Sequence, residues 1–158
     1  MKEYIDASVF LGMHNTDEKT RIACKNYFVT RLSYQVGMSL EQVGKCDGVI
    51  WQYSREEQDA YYPFMDNLHT IMDIQRVGYN EKDIQEATTN PSLQDLSISD
   101  RLTAGMVIAR GAELYSVNPK LVGKDYLRSP EAGKELSFPQ ALEKLYQQSL
   151  EVRICTRE

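Results

Sequence analysis

Short apolar runs that read as strands alternate with longer amphipathic stretches that read as helices along this 158-residue chain. Such an alternation fits a mostly parallel α/β sheet with helices on both faces, because parallel neighbours need a crossover that is usually a helix. Residues 3–11 read as a buried opening strand, and 34–38 as a second. Residues 76–79 and 112–117 read as short strands, and 152–156 as a last one. Helices are expected over 17–32 (Ile22, Tyr27 and Phe28 inward) and from a cap at Ser39, with Val43, Val49, Ile50 and Trp51 inward. Residues 54–73 read as a helix kinked or broken at Pro63. A small helix starts at Asn80 and ends near Thr89. Another follows a cap at Ser97 or Ser99 and stops at Gly111, and the last covers 138–150 behind Ser137. Gly44 and Gly48 weaken their helix, which suggests that they permit close packing.

With 42% apolar and 26% charged residues, the chain has the composition of one globular domain with its own core. The net charge of −5 argues against a general nucleic-acid binder, while leaving room for a local basic groove. Cys24, Cys46 and Cys155 form no CxxC pair, which fits reduced thiols and a cytoplasmic location. The opening residues carry Glu3 and Asp6 and are not expected to be a signal segment. No apolar run reaches the ~18 residues that span a membrane.

Three acids stand where the chain enters or leaves core elements. Asp6 interrupts the apolar run Tyr4 to Leu11, and Glu41 and Asp100 fall in the first turns of two expected helices. A carboxylate in a buried segment is costly unless a cation compensates it. Two of them ~4 Å apart repel by roughly 4 kcal/mol at an effective dielectric near 20. Brought together at the carboxyl ends of parallel strands, three would suggest a divalent metal site.

The segment from Asp100 through an apolar helix to Gly111, and on to Ser116-Val117-Asn118, resembles the PIN-domain pattern. Ile5-Asp6-Ala7-Ser8-Val9-Phe10-Leu11 is similar to the PIN first strand. Met38-Ser39-Leu40-Glu41-Gln42-Val43 resembles the PIN helix start more loosely. Order and spacing agree over about 3–54 and 97–120. The resemblance implies a three-layer α/β/α domain with a mostly parallel central sheet. It spans 1–158, with 55–96 as a divergent insertion and 125–158 as a C-terminal extension. It also implies a metal-dependent ribonuclease in which Asp6, Glu41 and Asp100 ligate Mg²⁺ or Mn²⁺ and Ser116 and Asn118 support them. An antitoxin or regulatory partner and a homodimer follow as further expectations. The chain departs from the pattern at Leu121, where an Asp often stands, and at the neutral Asn118. That leaves one metal expected rather than two.

Arg101, Lys120, Lys124 and Arg128 are placed near the expected mouth, where they could contact phosphate. His14 is placed at its rim. Tyr61, in an aromatic stretch over 53–64, is a candidate base-stacking residue. Asp66, His69 and Asp73 fall on one helical face, with the residue types of a metal or acid–base cluster and of an ordinary solvated face. Two other classes of function stay open. One is a PIN-like binding or regulatory module with little catalysis. The other is an enzyme for a small nucleotide or phosphorylated metabolite, whose pocket the 55–96 segment would shape.

Overall fold

A computed structural model describes residues 1–155. Five strands form one all-parallel sheet in the order β3-β2-β1-β4-β5. They are β1 (Glu3–Ile5), β2 (Gln35–Ser39), β3 (Asp73–Val77), β4 (Glu113–Tyr115) and β5 (Leu127–Arg128). Seven α-helices lie among the described residues: α1 (Ala7–Gly12), α2 (Glu18–Val29), α3 (Leu40–Ile50), α4 (Arg55–Ile71), α5 (Glu81–Thr89), α6 (Ile98–Ala109) and α7 (Gln140–Ser149). This is the expected three-layer α/β/α PIN-like architecture.

The pleat divides the core in two. Ile5, Val36 and Met38 point to a layer built with α1–α4 and α7, while Tyr4 and Leu114 point to a layer built with α6, on which α5 packs. The side chains of Asp17, Ser39, Ser54, Asn80 and Ser97 accept N–H bonds at the starts of α2 to α6. Each such cap is worth about 1 kcal/mol. Gly111, at φ 63°, ends α6 in the left-handed conformation that glycine adopts without strain.

Several local readings need correction. The opening strand stops at Ile5, and Asp6 caps α1 by accepting from Ser8 N and Val9 N. A short apolar run has the same pattern in a buried helix as in a buried strand. Pro63 does not break α4. It lies on the exposed side, where water can satisfy the carbonyl that loses its partner. Trp51 follows α3 and is 71% exposed instead of inward. The strand expected over 76–79 is β3, three residues earlier. Ser137 does not cap α7, which begins after Pro139 with no side-chain cap. In place of a last strand over 152–156, the described residues show a single bridge between Ile154 and Asn15; Thr156 lies outside them.

Gly44 and Gly48 face open space, and the tight contact is elsewhere. A Cβ on Gly105 would stand 2.7 Å from the backbone N of Ala87, so α6 and α5 meet backbone to backbone. Ala is favoured over Gly by up to about 1 kcal/mol within a helix, but here the overlap outweighs that gain. Gly105→Ala is expected to cost about 1–3 kcal/mol, while Gly44→Ala should stabilise by up to about 1 kcal/mol. Urea unfolding of the two variants checks the opposite signs, and equal midpoints would rule out the close approach.

Candidate functional site

The carboxyl ends of β1, β2 and β4 open on one side of the sheet, and a cleft of about 460 Å³ lies there. Asp6, Gln42, Lys45, Asp100, Asn118 and Lys120 are its polar lining, with Ser8 and Ser97. Parallel strands place their carboxyl ends together, which is why residues far apart in sequence converge here.

Asp6 is 5% exposed. Its Oδ1 accepts from Ser8 N (3.0 Å), Ser8 Oγ (2.6 Å) and Val9 N (3.4 Å), and its Oδ2 from Ser116 Oγ (2.5 Å). A carboxylate oxygen offers about two lone-pair sites, so Oδ1 is saturated and Oδ2 keeps one. Burial raises the Asp6 pKa, and the bonds from Ser116 and Ser8 offset that only in part. Ser116 Oγ also accepts from Asn118 N (3.0 Å), and Asn118 Nδ2 donates to Asp100 Oδ1 (3.2 Å). A continuous line of hydrogen bonds therefore joins Asp6 to Asp100. Val117 N donates to Ser8 Oγ (2.9 Å) and ties α1 to the end of β4.

The third expected acid stands elsewhere. Glu41 does not line the cleft; it is exposed and accepts from the Tyr79 hydroxyl at 2.6 Å. Burial and this carboxylate push Tyr79 up to about 12. The next residue, Gln42, takes the inward position. Its Oε1 accepts from Ala7 N (2.9 Å) and its Nε2 donates to Thr103 Oγ1 (3.1 Å). A neutral amide thus stands at the corner of the cleft where a carboxylate was expected. No group of three or more His, Cys, Asp or Glu side chains suited to a metal occurs among the described residues.

Of the expected contact residues, Lys120 lines the cleft. Arg101 turns to Leu96 O and Gln94 Oε1, Lys124 to Asp95 and Arg128 to Glu113. His14 is buried, bonded through Nε2 to Ser149 Oγ at 2.8 Å. Burial, with Arg153 and Arg21, lowers its pKa to about 3. The C-terminal segment covers it, since Ile154 N donates to His14 O. Tyr61 is buried against His14 rather than facing the cleft. Asp73 belongs to β3, where it bonds Gln35 and Gln75, so it leaves the helical face shared by Asp66 and His69.

Sequence reasoning missed Lys45 as a cleft residue, although it lies one helical turn beyond Glu41. It also missed Ile154 and Cys155, which close one wall; their position depends on how the C-terminal segment docks, for which no local signal exists.

The donor chemistry fits a hard cation in one mode. Neither Asp6 nor Asp100 forms an ion pair with the described residues, and both offer hard oxygen. Mg²⁺ is commonly held by one or two carboxylates together with waters and substrate phosphate. Two carboxylates suit that arrangement and do not make a complete protein cage.

A family model described as a family of unknown function (DUF6190) matches residues 1–158. No curated protein matches the sequence. Among solved structures, VapBC2 from Rickettsia felis bound to a DNA fragment from its promoter is similar at a TM-score of 0.60 and 13% identity. That likeness covers 84% of this chain and 100% of the other. A toxin–antitoxin complex from Klebsiella pneumoniae is similar at a TM-score of 0.56 and 12% identity, over 83% of this chain and 99% of the other. At these identities the likeness establishes a shared fold.

Proposed function

We propose that this chain, which belongs to the family of unknown function DUF6190, is a metal-dependent phosphodiesterase acting on RNA through the cleft of Asp6 and Asp100. The observation that carries this reading is a pair of carboxylates, one buried, that face a single cleft and form no ion pair with a described residue. Asp6 and Asp100 would hold Mg²⁺ or Mn²⁺. Such an ion polarises a phosphoryl oxygen and lowers the pKa of a bound water. Ser116 and Ser8 fix the Asp6 carboxylate by hydrogen bonds, and Asn118 fixes Asp100. Lys45 and Lys120 are suited to contact the phosphates of a strand crossing the cleft. The similar toxin–antitoxin structures lend support to a protein partner as well.

Manganese titration followed by cleavage of single-stranded RNA tests the proposal. Weak Mn²⁺ binding that tightens when RNA is present is expected, with both binding and cleavage lost in Asp100→Asn. Cleavage that needs no metal, or that survives this variant in full, would refute it.

One observation favours a second reading. Gln42 is neutral and both ends of its amide are engaged, which points to a cleft that binds a strand or a partner with little catalysis. RNA binding that is insensitive to Mn²⁺ and leaves the RNA intact would select that module.

A further inference from the structure

A second cavity, of about 300 Å³, lies between α3, α4 and the edge strand β3. It shares no lining residue with the Asp6 cleft. α3 separates the two: Gln42, Lys45 and Val49 face the cleft, whereas Val43, Cys46 and Asp47 face the cavity. The floor is apolar and soft, formed by Phe10, Met38, Cys46, Tyr61 and Met65. Its size is at the small end of the roughly 300–1,000 Å³ found for small-molecule sites.

The rim carries charges of both signs that the fold leaves unused. Arg76, on β3, makes no side-chain hydrogen bond or ion pair with the described residues, and neither does the carboxylate of Asp66 on α4. Asp47 receives only a long bond from the Tyr62 hydroxyl, at 3.3 Å. His69 stacks on Phe10 with centroids 5.6 Å apart, and its Nδ1 lies 2.8 Å from Met65 O. In the neutral ring that bond places the proton on Nδ1 and leaves Nε2 as an acceptor. An apolar floor with an unpaired guanidinium on the strand side and unpaired carboxylates on the helix side is complementary to one kind of molecule.

We infer that this cavity binds a small zwitterion with an apolar body, of the class of a free aromatic or branched amino acid. Its carboxylate pairs with Arg76, its ammonium with Asp66, and its side chain enters between Tyr61 and Met65. A purely anionic ligand would meet Asp47 and Asp66, and a purely cationic one would meet Arg76. A ligand of both signs pairs Arg76 and Asp66 at once and keeps its ammonium on the side of Asp47, and charge-assisted bonds of this type are the strong ones.

The test uses the full chain with no metal and no RNA, so its outcome is independent of the cleft's proposed chemistry. L-phenylalanine, its amide and its N-acetyl form are titrated by ligand-observed NMR and calorimetry. Phenylalanine is expected to bind, and the two derivatives, each lacking one charge, to bind on the order of tenfold more weakly. Arg76→Ala should weaken phenylalanine but not the amide, and Asp66→Asn should weaken phenylalanine but not the N-acetyl form, since each derivative instead loses a like charge opposite it. Both residues are exposed, so the variants keep the fold. No binding at about 10 mM ligand, equal binding of the three compounds, or affinity unchanged in both variants would overturn the inference.

Discussion

Arg110→Met is expected to destabilise the protein by about 3–5 kcal/mol. Asp83, in the first turn of α5, is fully buried, and Arg110 at the end of α6 is its cationic partner. The guanidinium donates to Asp83 Oδ2 at 2.6 Å and Oδ1 at 3.2 Å, and further to Tyr4 Oη and Gly78 O. Asp83 Oδ2 accepts in addition from Asn80 N (2.9 Å), so its position is fixed by the helix cap and it cannot turn to water. Removing the arginine strands a buried carboxylate, which costs far more than the intact pair contributes over an apolar replacement. Arg110→Met with Asp83→Asn should therefore recover part of the loss. Urea unfolding of the two single variants and the double variant measures the coupling. A loss below about 1 kcal/mol for Arg110→Met would reduce the pair to a surface contact.

Asp6→Asn is expected to act in opposite directions on stability and on metal-dependent activity. Cleavage should fall at least about 100-fold if the carboxylate holds the ion, whereas the metal-free protein should gain about 1–3 kcal/mol near neutral pH. The sign follows from linkage. Burial raises the folded-state pKa of Asp6 above the ordinary 3.8. Between these two values the folded state holds more protons than the unfolded state, so stability falls as pH rises through that window. The penalty is absent below 3.8 and complete above the raised value. The difference between wild type and Asp6→Asn should thus open with pH, from nearly none at about pH 3 to its full size at neutrality. Unfolding measured across that range without metal checks it. A wild type more stable than the variant at neutral pH would show that the hydrogen bonds of Ser8 and Ser116 outweigh burial.

The elements with strong local signals were legible in the sequence. Ser39, Asn80 and Ser97 cap helices as their residue types suggest, Gly111 stops α6, and the alternation of elements gives the parallel sheet. The cleft was legible in part. Asp6, Asp100, Ser116 and Asn118 meet because β1 and β4 end, and α6 begins, on one side of the sheet. Glu41 and Gln42 could not be told apart in that way. Adjacent residues on a helix lie about 100° apart, so which of them faces the cleft depends on how α3 rotates against α1. The bond from Ala7 N to Gln42 Oε1 records that rotation, and no spacing in the chain encodes it. His14 was misplaced for a similar reason, since what covers it arrives more than a hundred residues later in α7 and the segment after it.

The docking of that last segment has a practical consequence for anyone handling the protein. Arg21 and Lys25 on α2 are held by Glu135 and Glu143, and Arg21 also bonds the Tyr146 hydroxyl. This buried lattice anchors α7, and the chain leaves it along Ile154 and Cys155 at the wall of the Asp6 cleft. A fluorophore attached to the exposed thiol of Cys155 would therefore sit at the mouth and compete with whatever enters. An affinity tag fused ahead of Met1 would extend from the opposite ends of the strands, where the central strand β1 begins, and leave the mouth clear.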